Sequence, residues 1–228
     1  AGSLPAASIF PATASVNARG HLSIGGCDAV DLVAEFGSPL YVFDEMTLLL
    51  KCREFVDEFT ERYPRTMVVY ASKAYINRGL ARIFKEEGLG LDVVSGGELA
   101  IALSVDFPTA KIYFHGNNKG RDELQFAVSS GIGRVVVDNF HELALLDGVA
   151  RELGRRQDVL LRLSPGVDAH THGHTTTGVL DSKFGFPIVT GQAEEAICRA
   201  MSARHLNLVG LHMHLGSPIF DLEPYREG

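Results

Sequence analysis

The sequence predicts an α/β fold: a parallel TIM-type (β/α)8 barrel truncated to about six βα units. Three observations carry that prediction. Apolar, strand-like runs begin near Met67, Gly90, Lys111, Arg134 and Asp158, at spacings of 21 to 24 residues. Helical patterns fill the intervals near 78–87, 97–105, 121–130 and 140–154, and Gly88, Gly131 and Gly154 fall just past helix ends, as left-handed caps do. Strand, helix, strand at this spacing joins parallel neighbours. A doubly wound open sheet fits the same count. Against it, no glycine-rich fingerprint follows the first strand, and polar residues recur at the C-terminal ends of nearly all strands, which suits a ring around one mouth. Six units do not close an eight-stranded barrel, so two unpaired strand edges are expected.

Along the chain, residues 1–26 are weakly patterned and broken by Pro5, Pro11, Gly20, Gly25 and Gly26. His21 to Ile24 reads as a short strand, Asp28 to Phe36 as a helical turn or two stopped by Gly37, and Pro39 to Phe43 as a strand. Asp44 is an N-cap for a helix over 45–63, with Glu45 in its first turn and Pro64 ending it. Leu48, Leu49, Cys52, Phe55, Val56 and Phe59 form one apolar stripe on that helix, expected to be buried. Val68 to Ala74 reads as a buried strand carrying Lys73 at its end. A sixth strand, Leu208 to His214, follows a Thr/His/Gly-rich loop (168–180), Lys183-Phe184-Gly185-Phe186 and a helix near 191–204.

Composition narrows the function classes. Of 228 residues 46% are hydrophobic and 21% charged, as in an ordinary globular protein. The formal net charge of −7 argues against nucleic acid or an anionic membrane surface as the main partner. No apolar run approaches the ~20 residues of a membrane span. The Ala- and Ser-rich start lacks the basic and apolar regions of a signal peptide. Cys27, Cys52 and Cys198 are scattered, which fits a reducing, cytoplasmic compartment.

Lys73, Asp92, His115, Asp138, Arg162, His212 and His214 all fall at or near strand ends. In the sixth strand Gly210, His212 and His214 share one face, expected to point into the barrel, and Val209, Leu211, Met213 and Leu215 share the other, expected to pack on helices. An ion-paired interior accounts for Asp92 and Arg162 but gives no reason for the lysine and the histidines. Two chemistries use the full set. His212 with His214, and His170, His172 and His174 in the loop, could ligate a metal. Alternatively, a pyridoxal phosphate site needs a lysine for the aldehyde, a flat group for the ring and small residues for the phosphate, and Lys73, His214 and Gly216-Ser217 supply these.

Five stretches resemble one family. Tyr70 to Ala74, Leu91 to Leu99, His115 to Lys119, Ser182 to Gly185 and Gly210 to Ser217 closely resemble the diaminopimelate decarboxylases, of the alanine-racemase-like, fold-type III pyridoxal phosphate group. The likeness runs from about Phe36 to Phe220. The Lys73 and His214 motifs are shared with ornithine and arginine decarboxylases. The segments around Asp92 and His115 point more narrowly to the diaminopimelate enzymes.

The resemblance implies that Lys73 carries pyridoxal 5'-phosphate as a Schiff base, that His214 stacks on its ring, that Gly216 and Ser217 meet its phosphate, and that Asp92 and Arg162 line the site. Pro218 departs from the glutamine common after the Gly-Ser pair and touches none of these roles. The resemblance also implies residues 1–44 associated with a β-domain and residues 45–228 forming an incomplete cofactor-binding barrel. The implied activity is decarboxylation of meso-diaminopimelate to L-lysine by a homodimer, with this chain as the N-terminal part. The family's later glycine-rich loop, pyridine-nitrogen glutamate and β-domain cysteine are not in residues 1–228, so this part alone is expected to be inactive. The competing readings are decarboxylation of ornithine or arginine, a non-catalytic cofactor-binding module, and a metal-dependent barrel hydrolase.

Overall fold

A computed structural model describes residues 9–167, 183–216 and 219–228. The chain divides into two compact units, residues 1–68 with 86–89, and residues 69–85 with 90–228.

In the first unit, β1 (Ser15–Val16), β2 (Leu22–Ile24) and β3 (Cys27–Asp28) form a small antiparallel sheet. Asp28 caps α1 (Ala29–Phe36) by accepting the Val30 N–H at 2.8 Å, and Gly37 ends it in a conformation with φ 84°. Asp44 caps α2 (Glu45–Arg62) through the Thr47 N–H at 3.1 Å, as its residue type predicts. Thr13 Oγ1 donates to the same carboxylate at 2.7 Å and ties the preceding loop to the cap.

Two expectations fail in this unit. Residues 39–43 form no strand, because β-prone residues become one only beside another strand in a sheet, and Leu40 to Phe43 are instead exposed. The α2 stripe is covered only in part. Cys52 is buried and Leu48, Leu49 and Val56 are half-buried, whereas Phe55 and Phe59 are each 54% exposed and stack on one another.

The second unit is the α/β part. Strands β4 (Val69–Ala71), β5 (Gly90–Val93), β6 (Ile112–Phe114), β7 (Arg134–Val137), β8 (Gln157–Ser164) and β10 (Leu206–Met213) make a parallel sheet in that spatial order, and β9 (Phe186–Pro187) joins β8. Order decides what the count could not. A doubly wound sheet reverses direction part-way; here every successive βα strand lies beside the last, as in a barrel wall. The intervening helices are α3 (Arg78–Glu86), α4 (Gly96–Leu103), α5 (Arg121–Ser130), α6 (Phe140–Glu152) and α7 (Gln192–Ser202), and α8 (Glu223–Glu227) follows β10.

The core follows from strand alternation. Leu91, Val93, Ile112, Phe114, Val135, Val137, Val159 and Leu161 are fully buried, together with Leu99, Leu124 and Leu146 from the helices. Each such side chain contributes roughly 1.5–3 kcal/mol on burial. On the opposite face Asp92, Tyr113, Leu160 and Arg162 are half-buried, whereas Val136 is buried as well. Phe114 also stands in register with Val135, and Val137 with Leu161, so the apolar rows run across strands.

The sheet has the two edge strands expected of an unclosed barrel, but the burial expected at each is not found. The first strand stops at Ala71 and is half-buried; Lys73 lies in the following turn and is exposed. Among the described residues β4 has only β5 beside it, and an edge strand buries less than a central one. On β10, Val209, Leu211 and Met213 are exposed rather than packed, because among the described residues this strand too has a single neighbour, β8.

Candidate active site

The C-terminal ends of the strands converge on a cavity of about 570 Å³. Its walls carry Lys73 from the turn after β4, Asp92 from β5, His115 to Lys119 from the loop after β6, Arg162 from β8, and His212, His214 and Gly216 from β10 and the segment beyond. Five of the six site residues expected from sequence therefore share one cavity: Lys73, Asp92, Arg162, His214 and Gly216. Ser217, the sixth, lies outside the described residues, as do His170, His172 and His174.

The polar side chains are paired across strands. His115 Nε2 lies 3.1 Å from Asp92 Oδ1, and the His115 ring meets His212 edge-on with centroids 4.8 Å apart. Arg162 lies 3.8 Å from Asp138 Oδ1, and its guanidinium covers the Phe184 ring at 4.3 Å. Asp138 in turn accepts the backbone N–H of Gly185. Gly185 is required there: its φ is +75°, and a Cβ would sit 2.8 Å from the Arg162 carbonyl oxygen.

Burial sets the electrostatics. Desolvation, helped by the electrostatic influence of His115 and of the Arg162 guanidinium, lowers the His212 pKa to about 4, so its ring is neutral near pH 7. Desolvation and then Lys73 lower His214 in the same direction. Burial pushes Asp138 up, against the pull of the Gly185 N–H and Arg162.

The sequence reading overlooked the machinery behind this wall. Glu98, Glu123 and Glu142 occupy the third position of α4, α5 and α6. Glu98 accepts the Val94 N–H at 2.7 Å, Glu123 the Gly120 and Gly96 N–H groups at 3.1 and 2.8 Å, and Glu142 the Asp138 N–H at 2.9 Å. Ser95 and Asn139 reciprocate by capping Glu98 and Glu142. The signal was present as Ser95-x-x-Glu98 and Asn139-x-x-Glu142, the sequence of a capping box, although each glutamate reaches the N–H of the residue before the cap, and of the three only Glu123 reaches the N–H of the cap residue itself, Gly120.

A family model for the pyridoxal-binding domain of pyridoxal-dependent decarboxylases matches residues 49–228. The chain belongs to the pyridoxal-dependent decarboxylases. A diaminopimelate decarboxylase of Bacillus subtilis (strain 168) is 48% identical over 209 residues, covering 92% of this chain and 48% of that protein. One from Bacillus methanolicus is 48% identical over 212 residues, covering 93% and 49%. Among solved structures, a diaminopimelate decarboxylase from M. jannaschii in complex with L-lysine matches with a TM-score of 0.84 and 36% identity, over 95% of this chain and 50% of that one. The chain thus spans about half the length of the curated relatives it matches.

The cavity of this decarboxylase domain suits the cofactor in its family's name. It has the volume of a small-molecule site and a primary amine at its rim. His212 Nδ1 is buried without a hydrogen-bond partner among the described residues, a polar atom left for a ligand to satisfy. Among the described residues, no group of three or more His, Cys, Asp or Glu side chains is placed to hold a metal ion, and no helix is long and apolar enough to cross a membrane.

Proposed function

We propose that the intact protein decarboxylates meso-diaminopimelate to L-lysine with pyridoxal 5'-phosphate as its cofactor. The observation that carries this reading is the single cavity shared by Lys73, Asp92, Arg162 and His214. The identity to named diaminopimelate decarboxylases supports the choice of substrate.

The chain's own groups divide the work. Lys73 would hold the cofactor through its amine and stands at the rim, where it can also move a proton to or from bound substrate. His214, with its pKa lowered, presents a neutral imidazole to the ring face. Gly216 and Ser217 would receive the phosphate. Asp92, oriented by His115, keeps a carboxylate facing the cavity for a substrate ammonium, and Arg162, braced by Asp138 and Phe184, keeps a fixed cation on the same wall. When bound, pyridoxal phosphate supplies the electron sink that accepts the electron pair left by the departing carboxylate. The reading takes the protein as a cytoplasmic homodimer, with residues 1–44 associated with a β-domain and 45–228 as the cofactor-binding barrel.

The test is release of CO₂ from meso-diaminopimelate, ornithine and arginine by the intact protein supplied with the cofactor. Release from meso-diaminopimelate with L-lysine as product is expected. Turnover of ornithine or arginine in its place reassigns the substrate, and turnover of none overturns the reading. Borohydride reduction and peptide mapping should find the pyridoxyl group on Lys73; a label on another lysine removes Lys73 from its role.

A further inference from the structure

Lys119 closes the His115–Lys119 segment, yet it is not a surface lysine. Its side chain is 1% exposed, and its Nζ lies 2.8 Å from Oε1 of Glu142, itself 3% exposed. An ammonium has three N–H donors. Here two are donated, to the Val136 carbonyl at 2.9 Å and the Gly116 carbonyl, and the ammonium is ion-paired with the Glu142 carboxylate. The second Glu142 oxygen accepts the Asp138 N–H at 2.9 Å. One buried cation therefore ties the loop after β6 to strand β7 and to the first turn of α6.

Packing alone does not call for such a group. Two buried charges are costly to desolvate, and an apolar pair of similar volume often stabilises a fold as well or better. What the lysine adds is direction, since it fixes two carbonyls on neighbouring elements. One of them, Gly116, lies beside His115, and residues 115 to 119 together form one wall of the cavity. The wall is pinned at two further points, by Asn139 Nδ2 on the Asn117 carbonyl at 3.3 Å and by Asn117 Nδ2 on the Lys183 carbonyl at 3.0 Å. His115 holds Asp92.

We propose that Lys119 is a positioning residue for cofactor binding: its bonds to the Gly116 and Val136 carbonyls set the 115–118 wall, and through His115 they set Asp92. The proposal rests on the reading that this cavity takes pyridoxal phosphate.

Three variants of the intact protein test it: Lys119→Met, Glu142→Gln and the two combined. Thermal stability, pyridoxal phosphate affinity and the visible circular dichroism of the bound cofactor are read for each. Lys119→Met should lose both stability and about tenfold or more in affinity, the scale expected for bonds made by a charged donor. The double variant should regain stability, because no carboxylate is left buried and unpaired, but should still bind weakly and with an altered dichroism. Glu142→Gln should bind nearly as wild type, because Lys119 keeps its two carbonyls. A double variant that binds as wild type, or a Glu142→Gln variant as impaired as Lys119→Met, overturns the proposal while leaving the functional reading intact. A wild-type protein that binds no pyridoxal phosphate overturns both.

Discussion

His212 on β10 stands in register with Arg162 on β8, and both side chains reach the same cavity from neighbouring strands. Burial above all, and then the neighbouring histidine and guanidinium, make this ring resist protonation. Its pKa falls from 6.5 to about 4.

Stability should therefore depend on pH through this residue. The unfolded chain takes up a proton on His212 near pH 6.5, whereas the folded one does so only near pH 4. The contribution is fully present above pH 6.5 and is lost as pH falls toward 4, to a limit of about 3 kcal/mol. Asp138 and Glu142, whose pKa values are raised, act in the opposite sense and are common to wild type and variant. Urea unfolding of wild type and His212→Gln between pH 4 and 7 should give a difference that shrinks with acidification. A constant difference contradicts the burial argument.

His214→Ala should weaken retention of pyridoxal phosphate in the intact protein by ~1–3 kcal/mol, from lost ring packing and hydrogen bonding. His212→Ala should cost less in retention, since it removes only a ligand hydrogen bond at Nδ1 and not ring packing. Equilibrium dialysis of the cofactor separates the two. Equal losses would revive a paired-histidine metal site.

Gly185→Ala should destabilise the fold by about 1–3 kcal/mol, as a side chain forced into a positive-φ position does. The added Cβ meets the Arg162 carbonyl, so Phe184 and Arg162 should part as well. Thermal melts would register the first effect and cofactor affinity the second. A neutral substitution would show that the segment can move aside.

A polypeptide of residues 1–228 alone should associate and release no CO₂ from meso-diaminopimelate. Val209, Leu211 and Met213 are 41%, 55% and 42% exposed on an edge strand, an arrangement prone to pairing with another chain. Sedimentation velocity should show large species, and Leu211→Lys should reduce them. A monodisperse monomer that turns over the substrate is the contrary result.

Long-range order was legible where local signals repeat. The strand starts expected near Gly90 and Arg134 are the observed ones, and Asp44, Gly88, Gly131 and Gly154 behave as their residue types dictate. What failed depended on partners rather than propensity. Pro39 to Phe43 has strand-like residues but joins no sheet among the described residues, and Lys73 follows an edge strand instead of ending a buried one. The Lys119–Glu142 pair was illegible for a related reason. The two residues are 23 positions apart, and only the packing of β6, β7 and α6 brings them within 2.8 Å.

The glutamate caps have a consequence for where this architecture can change. At the β5–α4 and β7–α6 junctions, strand and helix are joined by two residues each, 94–95 and 138–139, both consumed by the cap. An insertion there would break the hydrogen bonds that start the helix. The junctions after β4, β6 and β8 are longer, and they contribute Lys73, His115 to Lys119 and Phe184 to the cavity. Short and long connections therefore alternate around the mouth. Divergence that reshapes the cavity has room in the loops after β4 and β8, while the capped junctions and the pinned wall after β6 hold the frame still.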